Sequence, residues 1–172
     1  NKLIFLDVSK NLVLRELKCA ANLLTSLDVS KIQTLELLWC FSNQLSILDV
    51  SNNKNLSNLN CRKNQLKNID VRSNTKLNSL DCSENSLMEL DIRRNPNLSH
   101  VHCADNNLSA SALNQIYENL PKPPAPYSAQ DPLGLFTIAG SYTLDIRNNP
   151  GTVASNRDIA KNKGWEVLEY ER

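Results

Sequence analysis

Several features common in enzymes and membrane proteins are scarce or missing in this 172-residue chain. Glycine occurs only 4 times, which excludes Gly-rich phosphate loops recurring along the chain. The formal net charge is +1, so no basic surface for nucleic acid or an anionic membrane is expected. No apolar run approaches the roughly 20 residues of a membrane span. A nucleophile elbow and a zinc-protease helix are missing as well, so neither enzymatic activity nor a cofactor is expected.

The chain does contain an internal repeat of 21 residues. Its five cysteines follow one another at this interval: Cys19, Cys40, Cys61, Cys82 and Cys103. The same interval separates five triplets of the type Leu-Asp-Val, which are centred on Asp7, Asp28, Asp49, Asp70 and Asp91. A fixed period of this length indicates stacked coils, each contacting only its neighbours, and it favours a recognition surface over a catalytic cleft.

Each 21-residue unit contains two phrases of the form Leu-x-x-Leu-x-(Val/Cys)-x-x-Asn. Leu17 and Cys19 are two residues apart, so both side chains face inward from a short strand while Lys18 faces out. Asn ends every phrase except the one at Ile32, because its amide can bond backbone groups at a bend. Stacked Asn residues are therefore expected to form an internal ladder. Because both halves carry the phrase, we expect short strands on both sides of a flattened coil, without helices.

The unit Leu-x-x-Leu-x-Cys-x-x-Asn-x-Leu resembles the leucine-rich repeat, in a 21-residue bacterial form akin to internalins. The resemblance covers roughly residues 1–108 and implies a right-handed, β-rich α/β solenoid of about five coils. It implies that the Leu-x-Cys strands lie on the concave face and the Leu-Asp-Val triplets on the convex side. It also implies export to the cell surface, the periplasm or the extracellular space. Since the chain opens inside the repeat pattern, we expect the N-terminal cap to be absent from this sequence.

The repeat pattern stops after Leu108, and residues 109–172 are predicted to form an α/β C-terminal cap. The patterns indicate a helix ending at Pro121, a proline-rich loop at 122–132, strands at 135–138 and 142–146, a short helix at 154–163 and a strand at 165–170. This tail resembles the cap of secreted leucine-rich repeat proteins from Gram-negative gut anaerobes through three pieces: Leu120-Pro121, Asn149-Pro150-Gly151 and Lys163-Gly164-Trp165. A cap is expected because the open end of a coil stack promotes aggregation.

The cysteine column is open to three interpretations: metal ligands, disulfides or small buried hydrophobes. Equivalent residues on neighbouring strands lie about 4.8 Å apart, whereas disulfide Cβ atoms need about 3.8 Å, and no Cys-x-x-Cys pair occurs. We therefore expect buried, reduced thiols.

For the aspartate column, which we expect Asp145 to continue, the alternatives are calcium binding and a solvated, hydrogen-bonded ladder. The ladder is favoured, because calcium needs about 6–8 oxygen ligands and no Gly-rich Asp repeat supplies them.

The outward positions of the Leu-x-Cys strands vary most between coils, so specificity is expected there. Exposed aromatic residues are enriched in interface hot spots, with cationic residues available at the margin. The candidate binding residues are Leu37, Trp39, Phe41, Arg62, Lys63, Asp81, Glu84, His100 and His102. The two histidines could also hold zinc, but side chains at i and i+2 lie about 7 Å apart, so no metal site is expected.

These observations predict non-catalytic recognition of a protein partner by a monomeric module of a bacterial surface or secreted protein. A glycan-binding module, with Trp39 as a stacking platform, is an alternative, and so is a structural spacer within a larger surface protein. Trp39 and Phe41 could also pack against a part of the protein that precedes this sequence.

Overall fold

The computed structural model describes residues 1–123 and 142–169, which form one parallel sheet with two helices late in the chain. The seven strands pair in chain order. They are β1 (Glu16–Lys18), β2 (Leu37–Trp39), β3 (Asn58–Asn60), β4 (Ser79–Asp81), β5 (His100–His102), β6 (Thr143–Asp145) and β7 (Glu166–Leu168). The helices are α1 (Ala110–Asn119) and α2 (Asp158–Lys161). The predicted strand at 135–138 and most of the predicted proline-rich loop lie outside the described residues.

The strands pair in the 21-residue register that the sequence predicts. Leu17 on β1 lies opposite Leu38 on β2, and Leu38 lies opposite Leu59 on β3. In-register pairing stacks equivalent side chains in columns, and the inward Leu, Ile, Val and Cys side chains form one continuous buried core. The predicted β-rich solenoid is confirmed.

Strands form on one side of the coil only, so the expectation of strands on both sides is wrong for the described repeats. The Leu-Asp-Val phrases run into successive turns, in which Asn11 donates to the Val8 carbonyl and Leu14 donates to the Asn11 carbonyl. Turns that close every three residues leave too few extended residues for strand pairing. Neighbouring coils are joined on this side by side chains instead, as where the Asn53 amide donates to the Val29 and Ile32 carbonyls.

A residue in the left-handed backbone conformation ends each strand segment on the Leu-x-Cys side. The φ angle is +56° at Ala21, +55° at Lys63 and +54° at Asp105, with the same conformation in the other coils. This conformation costs a non-glycine residue roughly 1–2 kcal/mol. Each coil bears that cost without glycine because the following Asn fixes the turn.

The predicted Asn ladder is present along this line of turns. The Asn106 amide donates to the carbonyls of Cys82 and Cys103, while its Oδ1 accepts from the backbone amide of Leu87 at 2.9 Å. Equivalent bonds recur at the other ladder positions, which are Asn22, Asn43, Asn64 and Asn85. Asn149, beyond the repeats, makes the same bonds to Cys103 and Ile146 and adds one rung.

The segments that follow the repeats are joined to them through the same sheet, which β6 and β7 extend. Ser109 caps α1 by accepting from Ala112, and α1 buries Leu113, Ile116 and Tyr117. Since β6 and β7 extend the repeat sheet, the structure has one sheet across the predicted boundary at residue 108, and the division into repeats and cap remains a prediction. The predicted helix at 154–163 is found as turns followed by the shorter α2.

The sequence-based assignment of Asp145 to the aspartate column is wrong. Asp145 pairs in register with His102, so it belongs to the outward column of the strands. The error arises because Asp145-x-Arg147 repeats the Asp-x-Arg spacing of Asp91 and Arg93, although the two segments lie on opposite sides of the coil.

Candidate binding surface on the strand face

The cysteine column lies inside the core, as predicted. All five thiols are buried and free. Burial raises the pKa of Cys61 to about 12 and that of Cys19 to about 11. Because the thiolate is the nucleophile and the metal ligand, these thiols are poor candidates for either role.

The aspartates of the Leu-Asp-Val triplets close local turns. In each coil Oδ1 accepts from the backbone amide two residues on, as Asp49 does from Ser51 at 2.9 Å. Arg72 adds two side-chain bonds to Asp70, and these bonds lower the pKa of Asp70 to about 2. This is the hydrogen-bonded surface ladder that the sequence favours over calcium ligation.

The outward side of the sheet carries all nine predicted binding residues. We call it the strand face; it comprises the outward side chains of β1–β7 and the two residues that follow each inward Cys or Ile. The burial pattern alternates along β2, where Leu38 is buried while Leu37 and Trp39 keep access to solvent. The strand period of two thus separates core from candidate surface within three residues.

Trp39 is held in one orientation at the centre of an apolar patch. Its side chain is 36% exposed, and Leu37 and Phe41 beside it are half-buried. Its indole N–H donates to Asn58 Oδ1 on β3 at 2.9 Å. On β1, the ammonium of Lys18 lies 5.0 Å from the centroid of the Trp39 ring. An aromatic side chain fixed from both neighbouring strands loses little entropy when a partner binds.

Two partners of Trp39 were not among the predicted binding residues. The 21-residue register places Lys18 directly opposite Trp39, so aligning the coils would have found this contact. The Lys18 ammonium donates a hydrogen bond to the Glu16 carboxylate at 2.8 Å, and this bond orients Lys18. The contact between Trp39 and Asn58 cannot be predicted from the repeat spacing, because this hydrogen bond depends on the rotamer of the indole side chain.

Arg62 and Glu84 form an ion pair across neighbouring coils. Arg62 Nε donates to Glu84 Oε1 at 2.7 Å, and a second guanidinium nitrogen donates to the same oxygen. The pair is largely exposed, with 53% of the Arg62 side chain open to solvent. Lys63 follows in the left-handed position and is exposed.

The two histidines lie on β5, and each has polar neighbours. His100 Nδ1 is 2.7 Å from Ser99 Oγ. His102 lies between Asp81 and Asp145 in the sheet register, but Asp145 is buried and makes two side-chain bonds with Arg147. Within residues 1–123 and 142–169, no group of three or more His, Cys, Asp or Glu side chains is placed to hold a metal ion.

Exposed apolar side chains also occur away from the strand face. Phe5 is 68% and Ile47 is 74% exposed, and both line a depression of about 710 Å³ beside the first three aspartates of the column. Both helices of the described segments are too short or too polar to span a membrane. Because Phe5 and Ile47 are so exposed, this depression is a second candidate binding surface beside the strand face. Variants matched between the two surfaces show which of them binds.

Comparison with known proteins gave structural matches. No protein-family model matches the chain, and no curated protein sequence does. The functional domain of InlJ from Listeria monocytogenes, which includes a cysteine ladder, is 29% identical over 94% of this chain and 40% of its own, with a TM-score of 0.55.

Two less similar structures share the fold. An internalin (inlF) from Listeria monocytogenes is 16% identical, covers 96% of this chain and 46% of its own, and has a TM-score of 0.69. A leucine-rich repeat protein from Leptospira interrogans is 18% identical over 94% of this chain and 50% of its own, with a TM-score of 0.51.

This chain spans half or less of the length of these three solved chains. It shares with them a parallel solenoid, and its own repeat is 21 residues long with a column of buried cysteines. The chain therefore has an internalin-like leucine-rich repeat fold and is similar to these bacterial proteins.

Proposed function

We propose that this chain is a non-catalytic recognition module of a bacterial surface or secreted protein, and that it binds a protein partner through the strand face. The observation that carries the proposal is the ordered, half-exposed Trp39 between Leu37 and Phe41. An aromatic anchor surrounded by polar side chains is the usual composition of an interface centre. The resemblance to surface and secreted internalin-like proteins supports the location.

Non-catalytic binding is supported by the state of the side chains that could do chemistry. The five thiols are buried, and burial raises the pKa of Cys19 and of Cys61. The aspartates of the column are each engaged by their own turn. Leucine-rich repeat and internalin folds generally serve as interaction modules, which fits these observations.

A protein partner is favoured over a glycan because the Trp39 ring already has a cation over it. Sugar stacking uses a face of an aromatic ring, and Lys18 occupies one of the two faces of the Trp39 indole, with its ammonium 5.0 Å from the ring centroid. A protein partner can instead use the ring edge, Leu37, Phe41 and the surrounding polar groups together. A glycan module and a structural spacer are the outcomes against which this proposal is tested.

The test is to select binding peptides from a random phage-displayed library, and then to measure their affinity for two matched double variants. Trp39→Ala with Phe41→Ala removes the aromatic patch, whereas Ile47→Ala with Met88→Ala removes two apolar side chains that are 74% and 71% exposed off the strand face. We expect the first variant to lose at least about tenfold in affinity and the second to bind like the unmodified chain.

The opposite pattern would show that the strand face is not the binding surface. A carbohydrate panel followed by Trp fluorescence covers the glycan alternative: saturable quenching that is lost on replacing Trp39, with no peptide selected, would replace our proposal with a glycan module. Absence of any binder in both formats would favour the spacer.

A further inference from the structure

Charge is unevenly distributed along the strand face. The part formed by β1–β3 carries one acidic residue, Glu16, and the basic residues Lys18, Arg62 and Lys63. From β4 onward the described part of the face carries one basic residue, Arg147, and five acidic ones: Asp81, Glu84, Asp105, Asp145 and Glu166. The strands on both sides of the Trp39 patch therefore carry basic residues, and the acidic region begins one strand farther, at β4.

Three of these carboxylates keep an oxygen available to a partner. Asp81 Oδ1 accepts from the backbone amide and the hydroxyl of Ser83, Glu84 Oε1 accepts from Arg62, and Asp105 Oδ1 accepts from Asn148. The second oxygen of each carboxylate makes no hydrogen bond within the described segments. Local bonds thus hold these groups in place while leaving one acceptor on each, which is the arrangement that binds a guanidinium or ammonium group.

We infer that the occupant of the strand face is an extended, basic peptide segment, with an apolar side chain against Trp39 and a Lys or Arg against Asp81 or Asp105. This inference rests on the proposed function and specifies the chemistry of its partner. Charge complementarity selects the basic segment, since an acidic one would meet like charges across the β4–β6 region.

The sheet geometry sets the spacing of the motif. Asp81 lies two strands from Trp39, and Asp105 follows the strand three positions along. At about 4.8 Å between strands Asp81 is about 10 Å from Trp39. Asp105 also stands three residues beyond His102, the position in register with Trp39, so its separation from Trp39 is about 17 Å. An extended peptide advances about 3.3 Å per residue, so the basic residue should stand about three positions from the apolar anchor to reach Asp81, or about five to reach Asp105.

The experiment uses the peptides selected above and two further triple variants of the full chain. Asp81→Asn, Glu84→Gln and Asp105→Asn remove the three charges from the strand face. The control, Asp7→Asn, Asp28→Asn and Asp49→Asn, removes three exposed charges from the aspartate column while keeping the oxygens that accept from Ser9, Ser30 and Ser51.

We expect selected peptides to carry Lys or Arg about three or about five residues from an aromatic or aliphatic residue. Affinity should fall at least about tenfold in the strand-face variant and remain unchanged in the control, and it should weaken with added salt for the unmodified chain. Peptides that need Trp39 but lack basic residues, or that bind the strand-face variant undiminished, would overturn this inference and leave the proposed function standing. Peptides indifferent to Trp39 would overturn both.

Discussion

Two buried asparagines on opposite sides of the coil should differ in what their removal costs. Asn106 is 4% exposed and belongs to the ladder beside the strands, whereas Asn74 is fully buried on the aspartate side. Asn106 donates through its amide to carbonyls of its own and the preceding coil, and Asn74 donates to two carbonyls of the preceding coil. Replacing either by alanine removes the same side-chain volume, so a difference between the two variants reports hydrogen bonding.

The difference arises from one backbone amide. The Val50 and Asn53 carbonyls bound by Asn74 each keep another donor, and Asn74 Oδ1 has no partner within the described segments. In contrast, removing Asn106 leaves the buried amide of Leu87 without its acceptor, although the carbonyls of Cys82 and Cys103 keep other Asn donors. An orphaned buried donor costs about 1–3 kcal/mol, and the lost bonds cost about 1 kcal/mol in either variant.

We therefore expect Asn106→Ala to reduce the free energy of unfolding by about 2–4 kcal/mol and Asn74→Ala by about 1 kcal/mol. Urea unfolding followed by circular dichroism measures both, with an unchanged m-value as the check that the same cooperative unit unfolds. Asn107→Ala, at an exposed neighbouring position, is the control and should change stability by less than about 0.5 kcal/mol. Equal losses for Asn74→Ala and Asn106→Ala would refute the reasoning.

Further predictions concern the thiols, the left-handed turns and pH. Because burial raises the pKa of Cys61 to about 12 and that of Cys19 to about 11, iodoacetamide at pH 8 should modify both slowly, Cys61 more slowly, and fully only in urea; rapid labelling, read by mass spectrometry, would contradict their burial. Ala21→Asn should stabilise by about 0.5 kcal/mol, since Asn tolerates φ of +56° better than Ala; a lower melting temperature would contradict this. Side-chain bonds from Arg72 and Arg93 hold the pKa of Asp70 and Asp91 at about 2 in the folded chain, below the unfolded value, so their small contribution exists above about pH 4 and is lost as pH falls toward 2. The gap in melting temperature between Asp70→Asn and the unmodified chain should close over that range, and a gap independent of pH would tell against it.

Much of the architecture is readable from spacing. A constant 21-residue interval between Cys residues requires that equivalent residues stack in register, and Leu17, Leu38 and Leu59 do so. Spacing says less about backbone pairing. The phrases at Val8 and Cys19 look alike in sequence, yet only the second forms a strand, because turn bonds compete for the backbone of the first.

The candidate surface, too, can be predicted only in part from the sequence. Alternation along short strands is enough to place Trp39, Phe41 and His102 outward. The orientation of Trp39, held by Asn58 and Lys18, depends on rotamers that no periodicity specifies.

By itself, the sequence determined which side chains lie inside and in which column, because a repeat of fixed length leaves stacked coils a single register. Only the tertiary structure decided which half of the coil pairs as strands, where Asp145 belongs, and how Arg62 reaches Glu84 in the next coil. These features depend on competition between neighbouring coils for the same hydrogen-bonding groups, and that competition exists only once the coils are stacked.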